Sequence, residues 1–373
     1  MMRCKAISVL LLLICGIRSA LPADVVRVVP KAEIPEARQP QAAVGPDGTI
    51  YITFGNRENF YCSVSTDGGK SYGVPVSVGQ IRRLRLGYRK GPRIAASSDA
   101  VVITAMGRAA EILAWRSADC GKTWQGPTSV TDAPDVSNQG YHAMAAGRDG
   151  QLFCVWLDQR GQMRNHNRIF CAGSNDGGKT WSEDRLIYES PDGFVCPCCQ
   201  PTVAYDANGA IYVMWRNNLD GCRDFYLAIS KDGGKTFGKS VKQGLGNWKL
   251  QVCPMDGGGL AVIAPGKTTT VWQRKNQIFR VDPETNQEKL IAPGVLPWAA
   301  GTKQGAYVVW VTKRNSNLWL MSPAASKPTK LAVRANDPMI AAPPGGEGPV
   351  VAVWEAGRRG SRTIFASVVT DHE

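Results

Sequence analysis

Histidine is almost missing from this chain, with three in 373 residues. No His-x-His or His-Glu-x-x-His pattern occurs, so histidine-based metal sites lack a sequence basis. His142 and His166 therefore read as hydrogen-bonding loop residues. No long apolar run follows residue 23, which excludes a later helical membrane span. Gly257-Gly-Gly259 is not followed by the helix that a phosphate-cradling loop needs. There is no serine nucleophile elbow and no Cys-x-x-Cys-His haem attachment. Acidic residues are also scarce, 31 against 44 Lys and Arg.

Residues 1–23 read as a secretory signal: Arg3 and Lys5 start it, Ala6 to Ile17 are mostly apolar, and Leu21-Pro-Ala23 offers a small residue for cleavage. The mature chain is expected to begin near Asp24, exported to a periplasmic or extracellular space. Without Arg3, Lys5 and Arg18 it carries 41 basic and 31 acidic residues, a net charge of +10. That balance favours anionic partners such as acidic glycans. Nucleic acid is not expected, because no binding module is recognisable, and a monomer is expected.

What the chain does have is a repeat. Ser65-Thr-Asp-Gly-Gly-Lys-Ser-Tyr72 recurs as Ser117-Ala-Asp-Cys-Gly-Lys-Thr-Trp124, Ser174-Asn-Asp-Gly-Gly-Lys-Thr-Trp181 and Ser230-Lys-Asp-Gly-Gly-Lys-Thr-Phe237, at spacings of 52, 57 and 56 residues. A fixed period of this size means a propeller or another array of supersecondary units. In each copy the carboxylate (Asp67, Asp119, Asp176, Asp232) can accept from backbone N–H groups of its own turn, and glycine supplies the positive φ. This is the Asp box, and its four copies resemble those of the sialidase-like, BNR-repeat β-propellers. The resemblance speaks for fold and is nearly silent on chemistry, so these aspartates read as scaffold.

A second feature marks each unit: an inner strand, a turn, and a strand ending in an aromatic residue. The copies are Gln39–Phe54, Pro92–Gly107, Tyr141–Trp156, Gln200–Trp215, Pro254–Trp272, Pro297–Trp310 and Pro338–Trp354, the second having Met106 in place of the aromatic. The expected fold is thus all-β: a single propeller domain over residues 24–373, of four-stranded antiparallel blades, seven in number with six as the alternative. The last unit has only three strands of its own, so Val25–Val29 is predicted to close the ring as the fourth.

In such a ring, the loops leading into the inner strands share one face with those joining second to third strands. On this face arginine is concentrated, and its planar fork suits carboxylate or sulfate. Sialidases open their first blade with Phe-Arg-Ile-Pro, whose arginine clamps the substrate carboxylate; Ala37-Arg38-Gln39-Pro40 stands in that place. By loop position Arg216 and Arg274 are the other clamp members the resemblance implies, and Arg57 is a further ligand-binding candidate. The catalytic half of the family pattern is not matched: Glu58 or Asp158 is the available acid/base and Tyr141 the available nucleophile.

Nine cysteines remain after residue 23, and five of them, Cys196, Cys198, Cys199, Cys222 and Cys253, fall in three loops of this face. One reading is disulfides, two bridges from the Cys196–Cys199 run to Cys222 and Cys253. The other is a thiolate site for copper or zinc, with Met255, Asp256 and His142 nearby. Cys154 and Cys171 are equidistant from the centre of the Leu157–Arg168 connection, which would allow a bridge there, with two buried free thiols as the equal alternative. Three functions follow: an acidic-ligand-binding propeller, a sialidase-type glycoside hydrolase, and a metal or redox protein built on the cysteines.

Overall fold

Burial grades outward along each unit, and this explains the strand order. Second strands such as Ile50–Asn56 and Leu152–Asp158 are buried at every position. Both of their faces pack against neighbouring sheets, so they read as unbroken apolar runs. Outer strands such as Gln125–Ser129 are almost wholly exposed and are rich in polar residues. The computed structural model describes residues 25–30, 34–107, 111–134, 139–161 and 166–369. Residues 1–23, where a signal is expected, and Asp24, Asn138 and Arg164 lie outside them.

The described strands form antiparallel sheets only. The first holds Arg38–Val44, Ile50–Asn56, Asn59–Ser65 and Val76–Gln80 in sequence order. The second, third and fifth units repeat it, with inner strands Arg93–Ala96, Gln139–Ala146 and Gly259–Ala264. The fourth, with inner strand Thr202–Tyr205, adds Phe194–Val195 as a fifth strand against Asn217–Asn218. A seven-stranded sheet holds the last two units, because Thr329–Ala341 serves both. Its first half pairs with Ser316–Met321 and its second with Val350–Ala356. Val25–Arg27 adds to the far edge, with Val25 opposite Ser367. The same core then joins last unit to first: Met339, Val353 and Ile364 pack with Ala42, Ile52 and Phe54.

The aromatics that end the second strands are the largest buried side chains, among them Trp156, Trp215, Trp310 and Trp354. Burying each contributes roughly 1.5–3 kcal/mol by transfer arguments. Inner strands from successive units line an axial cavity of about 410 Å³, in which alanine is the commonest lining residue.

The four Asp boxes fold alike. Asp176 Oδ1 accepts from Thr180 N at 3.0 Å and Oδ2 from the Thr180 hydroxyl at 2.6 Å, while Ser174 Oγ accepts from Gly178 N at 2.9 Å. Asp67, Asp119 and Asp232 repeat the pattern with Ser71, Thr123 and Thr236. These bonds hold the carboxylates down, Asp119 and Asp176 at about 2.

The Cys154–Cys171 pairing does not form. The hairpin register sets Val155 opposite Cys171 and Cys154 opposite Ala172, one residue off the symmetric reading. A one-residue shift turns side chains to opposite faces of the sheet. Cys154 and Cys171 accordingly lie in different core clusters, both as free thiols.

Candidate functional site

The loops leading into the inner strands are where the backbone departs from ideal geometry. Pairing slips at Arg38/Gln41, Gln139/His142, Val295/Trp298 and Asn336/Met339, four bulges at corresponding places. In three of them a residue before proline is left-handed: Gln39 (φ 56), Leu296 (φ 57) and Asp337 (φ 44). Arg89 (φ 60) and Met255 (φ 54) are also left-handed, in the loops entering the second and fifth inner strands, with no proline after them. A residue before proline ordinarily stays extended. Bulges re-aim side chains, and such strain gathers at functional sites. The repeated bulge brings polar side chains of different units within reach of one another.

Three acid–base pairs result. Arg89 meets Asp256 at 3.7 Å with both side chains 3% exposed, Arg314 meets Asp337 at 3.5 Å, and Arg38 meets Glu355 at 4.0 Å. Gln39 ties two of the acids together, donating from Nε2 to Asp337 at 2.5 Å and from its backbone N to Glu355 at 3.1 Å. Asn336 Nδ2 donates to both as well. Burial pushes the carboxyls of Asp256 and Glu355 up, Arg89 opposing this at Asp256 and Asp337 adding to it at Glu355.

Most of the arginines here are committed to the protein. Arg89 donates to the carbonyls of Leu296 and Pro297, and Arg93 to those of His142, Gly91 and Arg89. Arg216 is 1% exposed, donates to Arg223 O and Asp256 O, and lies over Phe225 and Trp248. Two arginines keep reach toward solvent. The Arg314 side chain is 40% exposed, lies over the Tyr88 ring and is held only at 3.4–3.5 Å. The Arg38 side chain is 30% exposed, and its Nε has no hydrogen-bond partner. Both adjoin the Gly87-Tyr88 turn, Arg38 Nη2 lying 3.6 Å from where a Gly87 Cβ would stand.

The structure disperses the remaining sequence candidates. Arg274 pairs through both guanidinium ends with Glu288 and is not part of a clamp with Arg38 and Arg216. Arg57 is exposed on the tight turn after Ile50–Asn56. Glu58 accepts from Arg83 N at 2.7 Å, bracing the loop after the first sheet. Asp158, fully buried, accepts from Trp156 Nε1 and from Arg160, which also reaches Asp184. Tyr141 is 2% exposed with Lys90 over its ring, and burial pushes its phenol up, away from the phenolate a nucleophile needs. Glu355 and Tyr88 were not singled out by sequence reading. Glu355 directly follows the strand-ending Trp354, as Arg216 follows Trp215, and that position was the available signal.

Among the described residues the cysteines form one bridge, Cys198–Cys253, with Cα atoms 6.3 Å apart. The expected bridge to Cys222 is absent: Cys222 is a free thiol bridged through its backbone to Lys249. Cys196 and Cys199 are buried free thiols against the bridge. Cys196, its sulfur hydrogen-bonded with Cys199 and near Arg216 and Arg223, is lowered to about 6, while burial pushes Cys199 up. The sulfurs of Cys196, Cys198 and Cys253 lie within 4.8 Å of one another. The disulfide withholds two of them from the thiolate form that copper or zinc would require.

With this geometry in hand, the comparisons are informative about scaffold. Residues 97–277 match a family described as a BNR repeat-like domain. A protein of unknown function from Dyadobacter fermentans is similar over 93% of this chain and 97% of its own, with 15% identity and a TM-score of 0.56. An α-L-arabinanase from Penicillium chrysogenum, solved with arabinobiose, is similar over 93% and 97%, with 14% identity and a TM-score of 0.54. A Hadza microbial sialidase is similar over 90% of this chain and 66% of its own, at 14% identity and a TM-score of 0.50. None of the curated protein sequences matches.

Proposed function

On the premise that this chain is a sialidase-like, BNR-repeat β-propeller, we propose that it is an exported monomer. It counts seven blades closed by the N-terminal strand, and at the arginine-lined mouth of its axis it binds an acidic carbohydrate or a similar small anion. The observation that carries this reading is the imbalance at the mouth. Arg38, Arg89, Arg93, Arg216, Arg223 and Arg314 stand against Asp256, Asp337 and Glu355, and only Arg38 and Arg314 of the six keep appreciable exposure. Buried arginines set a positive field, and the two half-free guanidinium groups supply forked donors for a carboxylate or sulfate. Tyr88, 54% exposed beside them, offers a face on which a sugar ring can stack.

Binding is favoured over hydrolysis. Retaining chemistry needs a nucleophile and an acid/base about 5 Å apart. Tyr141 is kept protonated by burial, and Asp158 and Glu58 are spent on Arg160 and the Arg83 amide.

The test is calorimetric titration with matched sialylated, sulfated and neutral glycans, alongside a fluorogenic sialoside. Acidic glycans are expected to bind, and Arg38→Ala and Arg314→Ala each to weaken binding about tenfold, roughly 1.4 kcal/mol. Arg57→Ala and Arg274→Ala should leave it unchanged, and the sialoside should not turn over. Equal affinity for neutral glycans, or wild-type affinity in both mouth variants, would overturn the proposal.

A further inference from the structure

Four cysteines converge where the fourth and fifth units meet, and only one pair of them is bonded. Cys196 Sγ lies 3.5 Å from Cys198 Sγ and 3.6 Å from Cys199 Sγ, and Cys199 Sγ lies 3.9 Å from Cys198 Sγ. Each unbonded sulfur therefore touches both the other unbonded sulfur and one atom of the Cys198–Cys253 disulfide. Cys196-Pro-Cys-Cys199 also has the two-residue spacing at which cysteines readily close into a bridge of their own.

The surroundings favour exchange. Arg223 Nη1 donates to Cys196 Sγ at 3.0 Å, a charge-assisted contact that holds sulfur in its nucleophilic, anionic form. Cys196 and Cys199 are 0% and 1% exposed, so a dissolved reagent meets Cys253 first, which is exposed beside Val252. The other strand cysteines differ. Cys62, Cys154 and Cys171 sit in apolar cores where burial pushes the thiol up, Cys171 to about 12.

We propose that these four residues form an internal thiol–disulfide relay, in which the buried Cys196 and Cys199 exchange with the Cys198–Cys253 bridge and so present Cys253 to external disulfides. This uses side chains other than those assigned to the anion and goes beyond that reading. In the first step the Cys196 thiolate attacks Cys198 Sγ. The Cys196–Cys198 bond forms, the Cys198–Cys253 bond breaks, and the electron pair leaves on Cys253. Cys199 then gives up its proton and attacks Cys196 Sγ, so that the Cys196–Cys199 bond forms and the electron pair leaves on Cys198. One disulfide is consumed and one is made. Two electrons and two protons pass from the buried pair to the solvent-facing pair, with no outside oxidant. The freed Cys253 thiolate can next attack an external disulfide, and Cys198 resolves the mixed disulfide. That releases the external compound as two thiols and restores the Cys198–Cys253 bridge.

The experiment maps bridges by peptide mass spectrometry in the full-length protein poised in glutathione buffers, acid-quenched, denatured and alkylated. Wild-type protein is expected to divide between Cys198–Cys253 and Cys196–Cys199 bridges. Cys199→Ser should accumulate Cys196–Cys198 and raise Cys253 alkylation severalfold over Cys196→Ser, which should hold only Cys198–Cys253. Cys222→Ser should behave as wild type. If wild type shows the Cys198–Cys253 bridge alone at every poise, with Cys196 and Cys199 always alkylated, the relay is refuted, and this arm needs no variant to fold. A stoichiometric metal released on denaturation together with four alkylatable thiols would overturn it equally.

Discussion

Burial decides the protonation of His142. It is 0% exposed beneath the mouth, with Nε2 3.1 Å from Thr104 Oγ1 and Nδ1 unpartnered. Burial first, and Arg93 second, lower it to about 3. An unfolded chain protonates this ring near pH 6.5 while the folded chain does not. The stability it contributes is therefore full above about pH 6.5 and is lost as pH falls from there toward 3. Denaturant midpoints should show a loss of about 1–2 kcal/mol between pH 7 and pH 5. His142→Gln, which can still bond Thr104, should flatten that interval; an unchanged slope would assign it to other groups. Asp158 carries a similar lesson. It stands two residues after Trp156, one beyond the place that Arg216 and Glu355 hold after Trp215 and Trp354, and Arg160 claims it together with Asp184. Residue type and spacing do not reveal which partner a carboxylate meets.

Each Asp box is a closed hydrogen-bonded unit, and this made it legible from eight residues of sequence. The bonds of its serine and aspartate side chains are local, from Ser174 through Asp176 to Thr180 in the third copy, and the Gly177 backbone reaches out, to Arg116 and Gly150. Asp176→Ala should destabilise the protein by about 1–2 kcal/mol, since the turn loses bonds to a charged acceptor near the surface. The loss should leave glycan affinity intact, because the box joins third to outer strands and not the mouth loops. Thermal melts with titrations on the same sample would check both halves. The axial mouth is the opposite kind of element. Gln39, Asp337 and Glu355 are bonded over separations of 298 and 316 residues. No local pattern encodes such bonds, and none shows that Arg274, expected beside Arg38 and Arg216, is bonded to Glu288.

Across the whole molecule, the last unit borrows its outer strand from the start of the chain. Val25–Arg27 pairs with Thr363–Val369, Val28 N donates to Ile364 O at 3.0 Å, and Val28 and Val29 are 1% and 0% exposed. Deleting residues 24–29 should uncover that edge and two buried valines. The expected result is a melting temperature several degrees lower and concentration-dependent association, as an unpaired strand edge invites. Light scattering across a dilution series would detect it; a monomeric variant of unchanged stability would mean the strand is an ornament.

The repeated units, and the aromatics that end most of their second strands, were readable because a strand buried on both faces must be apolar along its length, and the units repeat that need. Val25–Val29 was legible as an apolar run with no unit of its own, and its first three residues form the edge strand. The sequence by itself determined the all-β repeat, the Asp-box turns and the presence of arginine and cysteine in particular loops. Only the tertiary structure decided which of these meet. It committed Arg216 and Arg274 to protein partners and left Arg38 and Arg314 half free. It bonded Cys198 to Cys253 and not Cys222, and it turned Cys154 and Cys171 to opposite faces by a single residue of register. Hydrophobic period is a property of neighbours along the chain, whereas charge pairing and sulfur contact depend on angles and separations that the closed packing of distant strands alone sets.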